Sequence, residues 1–474
     1  MRQLGLSLFF LFRIFTCEAQ DSTLRYDVTL AVSGSTGKTP FWGYANQHGT
    51  VPDNGNFVLG QWQISKSYNI HDPRLLQWRA GAELITSYGN KENVFFTDLY
   101  AAVKLGPVEL MAGQNKNLSG LTDTTLSSGS LSISGNARPI PRVQLALPEF
   151  YPLNFTGGYV SIKASYSDGV LRKTDLLLGD VRYRPLTYLH QKSLYFRLGR
   201  PDQRFAFYTG LNHQVIWGGE DHIWPTYELK KSDAYWHAIT GIGIDNKKIG
   251  LHLGTLDLGA EWKGLNWSYL LYRQNIYETG SLYGISNFRD GLSGIRMTRS
   301  SALPNGSTYL AIHSLVVEVI GTKNQLNRSP AYGLSIYENA NYYNSFLYRG
   351  GWSNRGLGMG SPLAAPQGLI NKELPGNTSQ FTSNNRFWAF HAAVSATWLG
   401  AKFTLKSTYS LNYGALLTPF DRTQQQVSVY LSAARKMPFF RGVDLTAAVS
   451  TDYGNLYPHT TALLAGIRKT GFLK

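Results

Sequence analysis

The sequence predicts an all-β fold, a transmembrane antiparallel β-barrel. Three observations predict it: an export signal at the N-terminus, strand-length segments that alternate apolar and polar residues, and a composition low in charge and rich in aromatics. Hydrophobic residues make up 43% and charged residues only 16%, with 29 Tyr, 23 Phe and 11 Trp. A soluble chain of this size carries charge nearer a quarter of its residues. After the N-terminal segment no run of about 18 apolar residues occurs, which excludes helical membrane spans. The apolar surface must therefore be dispersed, every second residue, along strands.

The export signal comes first in the chain. Met1 and Arg2 precede an apolar run from Leu4 to Phe12, and Thr16-Cys17-Glu18-Ala19-Gln20 leads into a polar stretch, the layout of a secretory signal peptide. Residues 1–20 are read as that signal and 21–474 as one barrel domain. Cys17 is the only cysteine, so the exported chain has no disulfide framework. A lipidated Cys17 is disfavoured, because Ile14-Phe15-Thr16 lacks the small residue that lipidation requires.

Period-2 alternation is clearest in the last third. Ala401, Phe403, Leu405, Tyr409 and Leu411 alternate with Lys402, Thr404, Lys406, Thr408, Ser410 and Asn412. About 9–11 residues suffice to cross a membrane as a tilted strand. Phe390–Trp398, Val427–Ala433 and Val443–Val449 repeat the pattern, and in the first half Leu76–Leu84 and Phe95–Leu105 do so with Phe95, Leu99, Ala101 and Val103 assigned to the apolar face. Gly106-Pro107 and Leu399-Gly400 are tight turns, whereas other connections are long, as in a barrel with short turns at one end and long loops at the other. At about 25 residues per strand and connection the length gives roughly 16 to 20 strands, an even number. Two segments rich in Gly, Ser, Asn and Pro, Gly113–Leu153 and Asn344–Asn385, read as long extracellular loops or lumen plugs. A soluble β-sandwich also alternates; the signal, the long aromatic-ended strands and the absence of any compositional break favour the barrel.

Particular residues then bring in a family. Pro40-Phe41-Trp42, Ala45-Asn46-Gln47-His48-Gly49-Thr50-Val51-Pro52, Leu126–Ser130, Ser134-Gly135-Asn136-Ala137 and Pro139-Ile140-Pro141 occur in order. They are followed by His190–Tyr195, Gly210–His213, Trp217-Gly218-Gly219-Glu220, Gly351-Trp352, Arg355-Gly356 and Gly360-Ser361-Pro362. Together these blocks resemble the capsule assembly protein Wzi family. The resemblance implies a bacterial outer-membrane barrel of about eighteen strands that binds capsular or exopolysaccharide at the cell surface, as a lectin and not an enzyme. It also implies a small periplasmic helical bundle near the N-terminus, for which no helical segment is legible between Asp21 and Asn69. Periplasmic export partners are not identified by the sequence.

Polysaccharide binding needs aromatic faces for the apolar side of a sugar and planar polar groups for hydroxyls and carboxylates. Trp217, Glu220, Asp221 and Trp224 offer both within eight residues, although Trp217 and Trp224 suit an interfacial aromatic girdle equally well. Arg138 and Arg142 in the first long segment, and Arg349, Trp352 and Arg355 in the second, are further candidates, since arginine suits acidic sugars. The net charge of +15 fits such a ligand or the phosphate-rich lipopolysaccharide and lipid of an outer membrane, and nucleic acid is not expected for an exported chain. Asp98, Lys104, Glu109, Arg197 and Glu318 are read as an ion-pair lattice inside the barrel.

No catalytic, metal or cofactor site is expected. A triad of His213 and Glu220 with Ser128 or Ser193 lacks a nucleophile elbow. The ten histidines show no paired ligand spacing. Gly34-x-x-Gly37-Lys38-Thr39 is an incomplete phosphate loop. The alternative function is a porin or substrate-specific channel, which requires an open lumen.

Overall fold

The computed structural model describes residues 23–69, 71–72, 74–89, 92–223, 229–242, 249–278, 287–300, 310–325 and 340–473. The expected signal peptide and Trp224 lie outside the described residues. Eighteen strands form one sheet: β1 (Leu24–Ser35), β2 (Phe57–Lys66), β3 (Leu76–Gly89), β4 (Asn93–Leu105), β5 (Val108–Gln114), β6 (Arg142–Pro152), β7 (Val160–Lys173), β8 (Leu186–Leu198), β9 (Phe205–Trp217), β10 (Leu251–Lys263), β11 (Trp267–Tyr277), β12 (Gly291–Arg299), β13 (Ala311–Gly321), β14 (Phe387–Trp398), β15 (Ala401–Gly414), β16 (Pro419–Lys436), β17 (Val443–Gly454) and β18 (Thr460–Phe472). Each pairs antiparallel with its chain neighbours. β1 pairs with β18 from Arg25↔Phe472 to Ser35↔Ala462, which closes the cylinder. Closure leaves no edge of unpaired backbone groups to face lipid.

Side-chain parity gives the wall two chemistries. On β15, Leu405 and Tyr409 are exposed on the outside while Lys406, Thr408, Ser410 and Asn412 are buried toward the lumen, as the alternation requires. On β18 and β17 the outward Leu463, Ile467, Leu445 and Val449 are exposed in the same way. Exposed apolar side chains on this wall are the lipid-facing belt. The short turns at Gly106-Pro107 and Leu399-Gly400 share one end with the first and last residues of the sheet, and the long connections gather at the other end, the outer one in this architecture.

In one strand the alternation changes phase. The register of β3 with β4 slips between Glu83↔Asp98 and Leu84↔Phe96, so Thr97 is an extra residue, a β-bulge. Above it Phe96 is 42% exposed on the outside and Phe95 faces inward, opposite the fully buried Ile85. The sequence pattern assigned Phe95 to the outer face; the bulge reverses it. The first long segment is also shorter than its composition suggests. β6 begins at Arg142, and the prolines that disguised it sit at its end and in its irregularity between Leu147 and Tyr151, where no ladder donor is needed.

Three connections fold inward and fill the lumen. Phe41–Tyr44 forms one helical turn, the only helix described between residues 23 and 69. Phe41 N–H donates to Asp452 Oδ2 (2.7 Å) and its ring stacks on Tyr457 at 5.4 Å, while Trp42 Nε1 donates to Thr408 (3.0 Å). Trp352 and Tyr343, from the connection 322–386, are fully buried. Trp352 Nε1 donates to Ser132 O (2.8 Å) and Tyr343 O–H to Leu131 O (2.9 Å), which binds this connection to the one at 115–141. Phe41, Trp42, Leu131, Tyr342, Tyr348 and Trp352 belong to one continuous apolar core inside the barrel. Gly360 is needed there, because a Cβ would meet Leu131 O at 2.5 Å.

The wall grips this plug through apolar contacts, with Leu189, Ile276, Leu292 and Ile320 in the same core, and through hydrogen bonds. Glu318 on β13, fully buried, accepts from Ser127 Oγ (2.7 Å), Ser128 N–H (2.7 Å), Ser128 Oγ (2.5 Å) and Tyr272 O–H (2.5 Å). His391, its cross-strand neighbour, donates from Nε2 to Leu126 O (2.7 Å), and Leu126 packs with Val316 and Ala393. The expected ion-pair lattice is therefore only partial. Arg79 does bridge Glu109 at 2.8 Å and Lys116 pairs with Glu83 at 2.5 Å, but Arg197 Nη2 bonds the Arg200 carbonyl, and Glu318 holds hydroxyls and an amide.

Candidate functional site

At the outer end the loops leave a cleft of about 990 Å³. Its walls come from four directions: Lys38 and Thr50–Asn54 from the β1–β2 connection, Ser87 and Phe95 from β3 and β4, Arg138 from the first long plug segment, and Arg355–Leu357 with Gly368 from the second. Each arrives for a local reason. The β4 bulge turns Phe95 inward, and Arg138 lies over its ring with the guanidinium carbon 3.3 Å from the centroid. Arg355 occupies the tip of a small hairpin in which Ser353–Asn354 pairs with Leu357–Gly358. Its φ is +54°, a left-handed conformation that costs a non-glycine residue roughly 1 kcal/mol. Asn354 Nδ2 then donates to Arg138 O (2.9 Å), which ties the two arginine-bearing segments together.

The electrostatics are one-sided. Arg138 is pushed down to about 10, first by burial and then by the like charges of Arg355 and Arg172, and Arg355 is lowered by burial and by Arg172. Three guanidinium groups thus feel one another at the rim. None of the three has a carboxylate within ion-pair distance among the described residues. Lys38 adds a fourth positive charge and donates to Gly368 O, and Asp53 is the carboxylate in the lining. Such a cluster persists because water and anions reach it.

The sequence-derived candidates scatter. Arg138 and Arg355 meet in the cleft. Arg142 is buried on β6, where it donates to Asn115 and to Gln144 Oε1 (3.1 Å). Trp352 is interior to the plug, its ring covered on both faces. Arg349 is half-buried beside the hairpin Leu176–Tyr183, its N–H on Asp175 O (2.9 Å). Glu220 is 1% exposed; it accepts from Gly218 N–H (2.8 Å) and from the Tyr348 hydroxyl, so it clasps the β9–β10 loop to the plug. Burial raises its carboxyl above the ordinary range while these two donors pull it down. Asp221 lies beside His222 at 3.1 Å, and Trp217 packs on Tyr188 and Tyr235 at 4.9 and 5.5 Å, with the parity of the lipid-facing wall.

Arg172, Lys38 and Phe95 were missed. Arg172, next to the last residue of β7, acts on Arg138 and Arg355 through its charge without lining the cleft, and Lys38 stands in the discarded phosphate-loop fragment; no local pattern marks either. For Phe95 the bulge is the missing information. The imagined triad is not assembled: His213 sits beside His252 (3.0 Å) on the outer wall, Ser128 is bonded to Glu318, and Ser193 to Ser165 (2.7 Å). Among the described residues no cluster of three metal-ligating side chains occurs.

Comparison with known proteins bears on this arrangement. A family model described as capsule assembly protein Wzi matches residues 40–367, which takes in the plug segments and the cleft arginines. Among solved structures, one described as Wzi, an outer membrane protein involved in group 1 capsule assembly in Escherichia coli and a carbohydrate-binding β-barrel, is 14% identical. It covers 98% of this chain and 86% of its own, with a TM-score of 0.58. OccD3 (OpdP) of Pseudomonas aeruginosa, at 8% identity, covers 97% and 93% with a TM-score of 0.46, and OccAB4 of Acinetobacter baumannii, at 9%, covers 95% and 99% with 0.45. No curated relative matches the chain.

Proposed function

The chain belongs to the capsule assembly protein Wzi family, and we propose that it holds surface polysaccharide, capsular or exopolysaccharide, at the outer face of the outer membrane through the arginine-rimmed cleft. One observation carries the reading: an outward-facing cleft of about 990 Å³ in which Arg138, Arg355 and Lys38 line the wall with Phe95, Arg172 adds its charge from close by, and none of the three arginines is ion-paired. Guanidinium groups pair bidentately with carboxylates and vicinal hydroxyls, and an aromatic face takes the apolar side of a pyranose. A polymer offers many such units to one cleft, so weak single contacts add up along the chain.

The reading makes the protein a binder and not a hydrolase, since the cleft brings together cations and an aromatic ring but no paired acid and base. The channel alternative needs free volume where the plug core stands. Deleting the gene and staining for polysaccharide tests the proposal. Surface-retained material is expected to fall and shed material to rise, with restoration by the wild-type gene and not by an R138Q/R172Q/R355Q variant. Unchanged retention in the deletion strain overturns it.

A further inference from the structure

We propose a second binding site, on the periplasmic side of the plug, for a single carboxylated sugar unit of the hexuronate class. It is a separate pocket of about 260 Å³. Wall residues Thr404 and Lys406 on β15 and Tyr430 and Ser432 on β16 form one side, all near the short-turn end of the barrel. The plug forms the other side, through Asn46, Gln47 and the Thr122–Ser130 stretch. Gln47 also lines an adjoining lumenal cavity of about 390 Å³ that reaches Asp27 and Arg468, close to the periplasmic ends of β1 and β18.

The observation that points to a ligand is Lys406. Lys406 is 8% exposed, it lines the pocket, and among the described residues its ammonium has no hydrogen bond and no carboxylate within 4 Å. The face of Trp42 lies 5.0 Å from Nζ. The two carboxylates whose fields reach it are engaged elsewhere: Asp123 accepts from Thr125 and Leu126 N–H, and Glu318 holds Ser127 and Ser128. An ammonium set in a largely buried side chain, facing the pocket with its nearest carboxylates beyond 4 Å, is left for a bound oxyanion to pair with. Asn46 Oδ1, also buried and without a partner, adds an unused acceptor to the lining.

The rest of the lining names the remainder of the ligand. Besides Leu118 and the Asp123 carboxylate, which is held by Thr125 and Leu126 N–H and lies 3.8 Å from Arg296, the lining around Lys406 is hydroxyls and amides that donate and accept, so it matches a ring of sugar hydroxyls and not an apolar acid. The volume, below the range typical of larger ligands, limits the occupant to about one ring with a few waters. The site is independent of the outer cleft and shares no residue with it.

Calorimetric titration of detergent-solubilised protein with glucuronate, and separately with inorganic phosphate, tests the proposal. The R138Q/R172Q/R355Q variant is the background, so that the outer cleft is silent. Saturable binding of one glucuronate is expected, weakened tenfold or more by K406M and kept by K406R; a T404V/S432A pair should weaken it without touching the charge. Phosphate binding without glucuronate binding overturns the sugar assignment, and the absence of saturable binding of either ligand overturns the site. Glucuronate binding that K406M leaves unchanged does so too. Failure of the outer-cleft reading appears separately, as polysaccharide binding unaffected by the arginine changes.

Discussion

Replacing Glu318 by alanine is expected to open the plug locally around Ser127–Ser134 while leaving the barrel standing. Four donors converge on this carboxylate: Ser127 Oγ, Ser128 N–H, Ser128 Oγ and Tyr272 O–H, all at 2.5–2.7 Å. Hydrogen bonds to a charged acceptor contribute about 1.5–3 kcal/mol each, and the donors left behind are buried. Removing the charge also relieves its own burial cost, so the net loss is set at roughly 3–5 kcal/mol, the range for breaking a buried charged interaction from one side. His391 and the Leu126–Val316–Ala393 contact still hold the neighbouring residue, which confines the damage to local opening. Three kcal/mol corresponds to about a hundredfold faster opening. Hydrogen–deuterium exchange read by mass spectrometry is the assay. Amides from Ser127 to Ser134 should exchange about a hundredfold faster in E318A, those of β15 at the wild-type rate, and the variant should conduct ions in planar bilayers where the wild type does not. Unchanged exchange in the plug refutes the reasoning, and so does loss of protection throughout the barrel.

Two further outcomes follow from the same packing. Trp352→Ala empties the middle of the plug core and removes the bond to Ser132 O, which should cost about 3–5 kcal/mol; limited proteolysis should then cut within residues 340–385 while the heat-resistant barrel band on a gel persists. His48, held near 4 by burial and by Lys116 against an ordinary value of 6.5, binds its proton more readily once the plug opens. The contribution is intact above pH 6.5 and is lost as the pH falls toward 4, by at most about 3 kcal/mol. Plug amides around Asn46–Thr50 should therefore exchange faster at pH 4.5 than at pH 7 after correction for intrinsic rates, and a His48→Gln variant should lose that dependence.

The barrel was legible because lipid on one side and water on the other impose a period of two that no local choice can hide. β15 shows it over its whole length. What defeated the pattern was irregular backbone. One extra residue at Thr97 inverted Phe95, and the prolines of β6 disguised a strand as a loop. The residue blocks that resemble the family include the ones that fold inward, such as Phe41-Trp42, Leu126–Ser130 and Gly351-Trp352. Their roles as plug residues depend on contacts between segments more than two hundred positions apart, which spacing along the chain does not encode. For that reason Trp352 and Glu220 read as candidate ligand contacts in sequence, whereas the fold buries both among plug bonds, and Arg172 and Lys38 carried no signal at all. Arg138 and Arg355 stood out because arginine suits acidic sugars, and the fold brings both to the cleft, where the Asn354 to Arg138 bond ties their segments together.

The claim that the outer cleft holds polysaccharide is tested most directly by equilibrium binding. The purified surface polysaccharide of the host strain should bind detergent-solubilised wild-type protein, with an affinity that falls as salt is raised, and R138Q/R172Q/R355Q should reduce it by two orders of magnitude or more. Equal binding by the two proteins, or binding indifferent to both salt and arginine, would contradict the account.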